Sequence, residues 1–287
     1  MKPIEVISLS KSYGKVEAVK SVSFEVERGT IFGLIGPDGA GKTTIFRMLT
    51  TLLTPDSGEA RVEGMDILKD YRAIRAHVGY MPGRFSLYQD LSIEENLNFF
   101  ASLFQVSVEE NMHLVEPIYK QIEPFKKRRA GKLSGGMKQK LALCCAMIHK
   151  PTVVFLDEPT TGVDAVSRSE FWDMLAQLRD SGITIVVSTP YMDEASRCDK
   201  IAFMKEGTIL TTGTPNEILS AYGKRLFAME SENMYLSLQQ LQADERVDLC
   251  YSFGSTIHFT LRDGVQAEKN WAEIQPQIED CYIALSR

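Results

Sequence analysis

A glycine-rich loop between an apolar run and an amphipathic helix constrains this chain more than any other feature of its sequence. The loop, Gly36-Pro37-Asp38-Gly39-Ala40-Gly41-Lys42-Thr43, fits the pattern G-x-x-x-x-G-K-[ST]. It follows the apolar run of residues 31–35 and precedes a helical stripe over residues 42–53. Glycines let the backbone turn sharply and point its N–H groups at phosphate oxygens, and the helix dipole adds to the attraction. The sequence therefore predicts a phosphate-binding loop.

Two side chains of this loop have the chemistry to contact a nucleotide. The Lys42 ammonium is able to reach the β- and γ-phosphates, and the Thr43 hydroxyl is able to ligate Mg²⁺. The alternative is a chance glycine-rich turn before a helix, which the flanking strand and helix disfavour. The predicted ATP-binding residues of the loop are Gly36, Pro37, Asp38, Gly39, Ala40, Gly41, Lys42, Thr43 and Thr44.

A second buried run, residues 153–156, ends in two acidic residues, Asp157 and Glu158. Asp157 is predicted to hold Mg²⁺, directly or through water, and Glu158 to orient or deprotonate an attacking water. Two acidic residues that merely close a buried strand are the alternative. Beside a phosphate loop, the pair predicts nucleotide binding with phosphoryl transfer to water.

The order of apolar runs and helical patterns predicts an α/β chain with a mostly parallel sheet. Residues 86–150 have helical spacing and few strand signals, so we expect a helical insertion. Beyond about Tyr222 the motifs stop, which places a boundary between domains of residues 1–222 and 223–287.

The segment after this boundary predicts a small α+β domain. Candidate strands lie at residues 226–229 and 256–261, with a candidate helix at 235–241 between them. Trp271 and Ile274 predict another helix, and residues 282–285 a last strand. These three strands and two helices are interpreted as part of the six-element order β-α-β-β-α-β, a ferredoxin-like pattern.

Charge and hydropathy exclude several classes of protein. The 287 residues include 32 Lys and Arg against 38 Asp and Glu, a net charge of −6, whereas nucleic-acid-binding proteins usually carry a basic excess. No stretch approaches the roughly 20 apolar residues that span a bilayer. The five cysteines form no Cys-x-x-Cys pair, and Cys144 and Cys145 fit a buried helix in a reducing compartment. A cytoplasmic protein that binds no nucleic acid is therefore expected.

A third motif, Leu133-Ser134-Gly135-Gly136, lies between the glycine-rich loop and the acidic pair at the end of the second buried run. With it, residues 1 to about 220 resemble the ATP-binding subunits of ABC transporters. Tyr13 matches the aromatic residue that stacks on adenine in that family, and residues 161–164, which end at Asp164, resemble its D-loop. The resemblance implies a P-loop NTPase domain of ABC type, with ATP and Mg²⁺ as cofactors.

The resemblance also implies partners. In this family two such domains sandwich two ATP molecules head to tail, so Ser134, Gly135 and Gly136 would present helix N–H groups to the ATP of a second subunit. The expected partners are integral-membrane permease subunits and this second ATP-binding subunit. The second subunit is expected to be a different chain, with a homodimer as the alternative. The chain would be peripheral on the inner face of the cell membrane through the permease.

Further sequence features resemble the ATPases of ABC-2-type exporters. They are Gly-Tyr-Met-Pro at 79–82, Leu-Ser-Gly-Gly-Met-Lys-Gln-Lys at 133–140, Tyr-Met-Asp-Glu-Ala at 191–195 and the tail at 278–285. The transported substrate is not encoded in these motifs.

Three positions depart from the family pattern. Gly83 stands where the Q-loop glutamine would fall, Pro190 where the switch histidine would fall, and Asp38 replaces an asparagine of the phosphate loop. Glycine has no side chain and proline offers no donor. Losing one preorganised donor costs about 10²–10³ in rate in other enzymes. We therefore expect a site that binds ATP but hydrolyses it slowly, in an energy-coupling subunit of an exporter.

Two alternatives stay open at the level of sequence. One is an ATP-binding but non-hydrolytic regulatory half of an asymmetric ATPase pair, which acts as a nucleotide-gated clamp. The other is a nucleic-acid or ribosome-associated ABC protein, which the single domain, the short insertion and the net charge of −6 disfavour.

Overall fold

The computed structural model describes residues 2–268 and 271–287, and the chain divides into two compact units, up to Pro215 and from Asn216. The strands of the first unit are β1 (Ile4–Tyr13), β2 (Val16–Val26), β3 (Ile31–Ile35), β4 (Ser57–Val62), β5 (Met65–Asp66), β6 (Val78–Met81), β7 (Val153–Asp157), β8 (Thr184–Thr189), β9 (Lys200–Lys205) and β10 (Thr208–Gly213). Its helices are α1 (Lys42–Leu49), α2 (Tyr71–His77), α3 (Ile93–Leu103), α4 (Val108–Tyr119), α5 (Gly135–Met147) and α6 (Ala165–Asp180).

The central sheet of this unit has six strands in the order β10-β9-β3-β8-β7-β6. Five of them are parallel, and β10 joins β9 as an antiparallel hairpin across Glu206 and Gly207. Strands β3, β7 and β8 are buried along their whole length, which is typical of parallel strands covered on both faces. Because they are parallel neighbours, their carboxyl ends meet at one edge, where ligands bind in open α/β sheets.

A second, antiparallel sheet has the order β2-β1-β4-β5. The apolar side of α1 belongs to the same buried cluster as residues of both sheets, and Phe46 meets Phe155 of β7 edge to face at 5.6 Å. Phe24 of β2 stacks on Phe32 of β3 at 5.4 Å. The helix that follows the glycine-rich loop is therefore fixed by aromatic and aliphatic packing.

Residues 86–150, all of which the structure describes, contain α3, α4 and α5 and no named strand, which confirms the helical insertion. Helix α3 begins with a capping box in which Ser92 and Glu95 satisfy each other's backbone N–H groups. Cys144 and Cys145 are buried in α5, and burial raises the pKa of the Cys144 thiol.

The second unit begins within α7 (Pro215–Ser220). Its further elements in the described residues are β11 (Leu226–Glu230), α8 (Met234–Ala243), β12 (Val247–Phe253), β13 (Thr256–Leu261), β14 (Ala272–Ile274) and α9 (Ile278–Leu285). Its four strands form an antiparallel sheet in the order β12-β13-β11-β14. Phe227, Phe259 and Trp271 pack together in its core.

Two elements of the predicted C-terminal pattern are wrong. Residues 272–274 form a strand paired with β11 rather than a helix, and residues 282–285 lie in α9 rather than in a strand. The order in the described residues is therefore β-α-β-β-β-α. A short apolar run such as 281–285 does not distinguish helix from strand by periodicity. Gln277 and Asp280 decide it, because they form a capping box that starts the helix.

None of the helices in the described parts of the chain is long and apolar enough to cross a bilayer.

Candidate functional site

The glycine-rich loop is held tightly by neighbouring main chain. The Gly36 N–H donates to the Thr189 carbonyl at 3.2 Å, and the Gly207 N–H donates to the Ala40 carbonyl at 3.1 Å. A Cβ at Gly36 would lie 2.3 Å from the Met204 carbonyl oxygen. Gly41 has a φ of 102°, and a Cβ there would lie 2.4 Å from a β2 carbonyl oxygen. The loop therefore requires glycine at both positions on steric grounds.

The loop encloses an open cavity of about 420 Å³ at the carboxyl edge of the central sheet. Its lining residues are Ala18, Asp38, Gly39, Ala40, Gly41, Lys42, Thr43, Thr44 and Glu158. Gly36 and Pro37 do not line it, but their carbonyl oxygens accept hydrogen bonds from Lys42 Nζ at 2.8 and 3.0 Å. The structure thus brings Glu158 together with residues 38–44 of the predicted phosphate loop.

Lys42 is almost fully buried, with 3% of its surface exposed. Besides the two carbonyls, its Nζ lies 3.4 Å from Glu158 Oε1. A buried ammonium is costly unless it is paired and hydrogen-bonded, so these three acceptors hold it at the cavity wall. The arrangement presents a positive charge that an anionic ligand would bind strongly.

The predicted Mg²⁺ ligands lie side by side. Thr43 Oγ1 donates to Asp157 Oδ1 at 3.0 Å, although the two residues are 114 positions apart in the chain. Ser188 Oγ donates to the same carboxylate oxygen at 2.6 Å, a contact that the sequence analysis missed. A hydroxyl and a carboxylate beside an open phosphate loop fit Mg²⁺, which takes few protein ligands and completes its shell with phosphates and water.

Glu158 has an unusual backbone conformation for a residue with a side chain. Its φ is 49°, in the left-handed region, which costs about 1–2 kcal/mol for an L-residue other than glycine. Its N–H donates to the carbonyl and to the hydroxyl of Ser188, each at 3.0 Å. These bonds to β8 stabilise the turn that directs the Glu158 side chain toward the cavity. Strained residues of this kind cluster at functional sites.

Tyr13 ends β1 and faces Val16 across the β1–β2 turn, with 46% of its surface exposed. It does not line the cavity, whereas Ala18, two residues beyond Val16, does. The exposed ring is open to stacking, but the contact with adenine stays a prediction.

The signature residues form the start of α5. Ser134 is its N-cap and accepts from the Met137 N–H at 3.4 Å, and Gly135 and Gly136 follow in the first turn. A Cβ at Gly136 would lie 2.9 Å from Ser167 Oγ, so the helix start packs against the beginning of α6. Neither the cap nor these glycines line the phosphate cavity.

Asp164 is the N-cap of α6 and accepts from the Ser167 N–H at 3.0 Å. This backbone hydrogen bond lowers the pKa of the Asp164 carboxyl below its ordinary value. The predicted D-loop and signature segments are therefore neighbours, and each is built on a capped helix start.

Of the three departures from the family pattern, Asp38 lines the cavity, Gly83 lies beside the acidic strand end, and Pro190 follows the strand end that contacts the phosphate loop. A Cβ at Gly83 would lie 3.1 Å from the Asp157 carbonyl oxygen and 3.7 Å from Glu158 Cβ. Pro190 directly follows Thr189, whose carbonyl contacts the phosphate loop. Neither residue supplies a side-chain hydrogen-bonding group there.

Comparison with known proteins gives one consistent result. The family profile described as "ABC transporter" matches residues 19–161. The probable multidrug ABC transporter ATP-binding protein YbhF of Escherichia coli is 40% identical over 93% of this chain, although the chain spans only 49% of that relative. The Nod factor export ATP-binding protein I of Paraburkholderia xenovorans is 32% identical, and the alignment covers 99% of this chain and 96% of that protein.

A solved structure shows the same fold. CbiO1 of Clostridium perfringens, described as part of the ABC transporter complex CbiONQ, is 27% identical with a TM-score of 0.69. The match covers 77% of this chain and 91% of that one.

Proposed function

This chain belongs to the ABC transporter family of ATP-binding proteins, and we propose that it is the energy-coupling ATPase subunit of an exporter. The observation that carries the proposal is the meeting of Lys42, Thr43 and Glu158 around one cavity, with Asp157 hydrogen-bonded to Thr43. Two relatives, a probable multidrug ABC transporter protein and a Nod factor export protein, support an export system of ABC-2-like type.

In the proposed reaction each residue has a separate task. Lys42 exchanges the Gly36 and Pro37 carbonyls for β- and γ-phosphate oxygens, and backbone N–H groups of the loop bind the remaining oxygens. Thr43 and Asp157 would hold Mg²⁺, which supplies charge neutralisation between the phosphates. Glu158 orients the attacking water and accepts its proton at the carboxylate.

The signature segment supports a second ATP-binding subunit as partner. Ser134 and Gly136 lie at a helix start, where backbone N–H groups lack partners within the helix, and neither residue lines this chain's own cavity. Such a helix start suits the phosphate of an ATP bound by another subunit. We propose a head-to-tail pair, in which this chain completes the partner's site.

Gly83 and Pro190 support slow hydrolysis at this chain's own site. Both lie next to residues of the acidic strand end or phosphate loop, yet neither offers a donor to the γ-phosphate or the water. The same observation favours a second candidate function, a regulatory half that binds ATP without turning it over. The two candidates differ in the hydrolysis rate of this chain's own site.

The permease is proposed to bind at an apolar groove of about 230 Å³ on the helical region. Apolar and aromatic side chains dominate its lining, among them Leu52, Phe85, Phe100, Leu103 and Phe104. Leu52 and Leu103 are more than half exposed, and exposed apolar patches mark protein interfaces. A cytoplasmic helical segment of the permease would fill the groove and hold the chain at the inner face of the membrane.

The direct test is binding of Mg-ATP to the purified chain, measured by calorimetry. Lys42→Ala is expected to weaken affinity about 10- to 100-fold, because hydrogen bonds to charged groups contribute about 1.5–3 kcal/mol. Lys127→Ala, which removes an exposed cation from the helical region, is the matched control. Equal affinity in wild type and Lys42→Ala would contradict the assignment of the phosphate loop.

A further inference from the structure

A second buried carboxylate, Glu194, lies near the site and has no part in the proposed reaction. It belongs to a short 3-10 helix at Met192–Arg197, four residues after Pro190, and only 3% of its surface is exposed. Its Oε2 accepts from Thr189 Oγ1 at 2.6 Å. Its Oε1 accepts from Thr160 Oγ1 at 2.7 Å and from Arg168 Nε at 3.2 Å.

The three donors come from three different segments. Thr189 ends β8, Thr160 follows the acidic strand end after Glu158, and Arg168 lies in the first turns of α6. A buried carboxylate is stable only while its hydrogen bonds and its charge are satisfied. Movement of one segment without the others would leave this carboxylate with an unmet acceptor, so the three segments are expected to move together.

One side of this network reaches the proposed Mg²⁺ and phosphate site. Ser188, next to Thr189, donates to Asp157 at 2.6 Å, and the Thr189 carbonyl accepts from the Gly36 N–H. A displacement of Asp157 or of the loop by a ligand therefore acts directly on the end of β8.

The other side reaches the signature segment. Arg168 directly follows Ser167, whose hydroxyl lies against Gly136 at the start of α5. The Arg168 guanidinium also lies 4.3 Å from the centre of the Tyr191 ring, which adds a cation–π contact between α6 and the segment after Pro190. The network thus spans from Asp157 to the helix start that serves the partner.

We propose that Glu194 is a positioning residue that couples nucleotide binding in this chain to the signature segment presented to the partner. The proposal rests on the proposed function. It assigns the coupling to a buried carboxylate four residues beyond the switch position, so a donor at position 190 is not required for it.

Hydrogen exchange of the full chain, with and without Mg-ADP, tests the coupling. ADP lacks the γ-phosphate that would bridge two chains, and light scattering confirms that the sample stays monomeric. In wild type, Mg-ADP is expected to slow exchange in residues 36–44 and also in residues 133–138 and 160–168. In Glu194→Gln, slowing at 36–44 persists, while the response at 133–138 falls about fivefold or more, the lower range of allosteric coupling.

Two further variants separate coupling from damage to the fold. Thr160→Val is nearly isosteric and removes one donor while Glu194 stays, so it is expected to reduce the same response. Asp193→Asn is the matched control, because this exposed carboxylate pairs with Arg168 at 2.9 Å but lies outside the buried network. A purely structural role would speed exchange without ADP and leave the ADP-dependent difference unchanged.

The outcomes are distinct. Loss of the remote response in Glu194→Gln and Thr160→Val, with Asp193→Asn like wild type, supports the proposal. An unchanged remote response in both variants, an equal loss in Asp193→Asn, or no remote response in wild type overturns it. Absence of slowing at 36–44 in wild type instead contradicts the proposed nucleotide binding.

Discussion

The candidate site has a phosphate side, which includes Gly36 and Gly41, and a switch side, which includes Gly83 and Pro190. The two sides differ in why their residue types are needed. On the phosphate side, Gly36 and Gly41 approach neighbouring carbonyl oxygens so closely that a side chain would collide with main chain. On the switch side, a Cβ at Gly83 would lie 3.1 Å from the nearest atom, and Pro190, which follows the last residue of β8, is not among the residues with a positive φ. On the phosphate side, packing against main chain requires glycine. On the switch side, the residue type matters for the hydrogen-bonding groups that it offers to the ligand.

This difference is consistent with the proposed combination of intact ATP binding and slow hydrolysis. Replacing the loop glycines would break the packing of β3, α1 and β2, and the protein would lose stability as well as ligand binding. Replacing a glutamine by Gly83 or a histidine by Pro190 removes donors without opening the core. Binding and hydrolysis are therefore expected to respond separately to mutation.

The largest expected effect is on hydrolysis at the phosphate side. Glu158→Gln is expected to lower whatever ATP hydrolysis the chain's own site performs by about 10²–10⁴-fold, because it removes the proton acceptor. Affinity for Mg-ATP is expected to stay within a few-fold of wild type. The measurement is phosphate release at saturating ATP.

Glu170→Gln is the control for this change, since its carboxylate pairs with Lys140 away from the cavity. Vigorous hydrolysis that survives Glu158→Gln would show that another residue is the general base.

A smaller effect is expected in the complex with the second ATPase subunit. Ser134→Ala is expected to lower turnover of the complex about tenfold, the cost of one charge-assisted hydrogen bond of about 1.5 kcal/mol. Lys42→Ala is expected to lower it less, because it affects the site with the missing donors. The measurement is ATP turnover of the two mutant complexes, after confirming that both assemble to the same extent. A larger loss in Lys42→Ala would place the productive site in this chain.

The switch side offers a gain of activity. Pro190→His is expected to raise hydrolysis at this chain's own site by up to about tenfold, since it restores a donor next to the Thr189 carbonyl that contacts the loop. Gly83→Gln is expected to help less, because its Cβ would meet the Asp157 carbonyl at 3.1 Å. Single-turnover rates for the two variants and their combination test this; no gain in any of them would show that slow hydrolysis has another cause.

The sequence predicted the parts of this site that local pattern determines. The strand–loop–helix unit and the acidic strand end follow from spacing and hydrophobicity, and the structure brings Thr43 and Asp157 within hydrogen-bond distance. The role of Ser188 and the Glu194 network were missed, because they depend on contacts between segments far apart in the chain. Glu194 does lie in the exporter-like run at 191–195, but its side-chain partners cannot be read from that run.

In the second unit, the reliance on local sequence pattern produced wrong assignments of helix and strand. The run 282–285 is too short to show a period, and the capping contacts between Gln277 and Asp280 that begin α9 are visible only in the structure. Strand β14 has three residues and depends on pairing with β11, which no local pattern reveals.

The smallest expected effect compares the two helix starts at Ser134 and Asp164. Asp164 caps α6 with a carboxylate whose pKa is lowered by the Ser167 N–H, whereas Ser134 caps α5 with a hydroxyl that does not titrate in this range. A lowered folded-state pKa means that the cap stabilises α6 above the ordinary carboxyl pKa and that this contribution is lost as pH falls through the lowered value. The Ser167 amide should therefore lose protection on acidification, relative to the same amide in Asp164→Asn, whose amide cap is neutral throughout.

The measurement is the ratio of Ser167 amide exchange rates in the two proteins between pH 6 and pH 2.5, in which the intrinsic pH dependence of exchange cancels. The Met137 amide at the Ser134 cap should show no such change between the two proteins, and an equal change there would attribute the effect to general acid unfolding instead of the Asp164 cap.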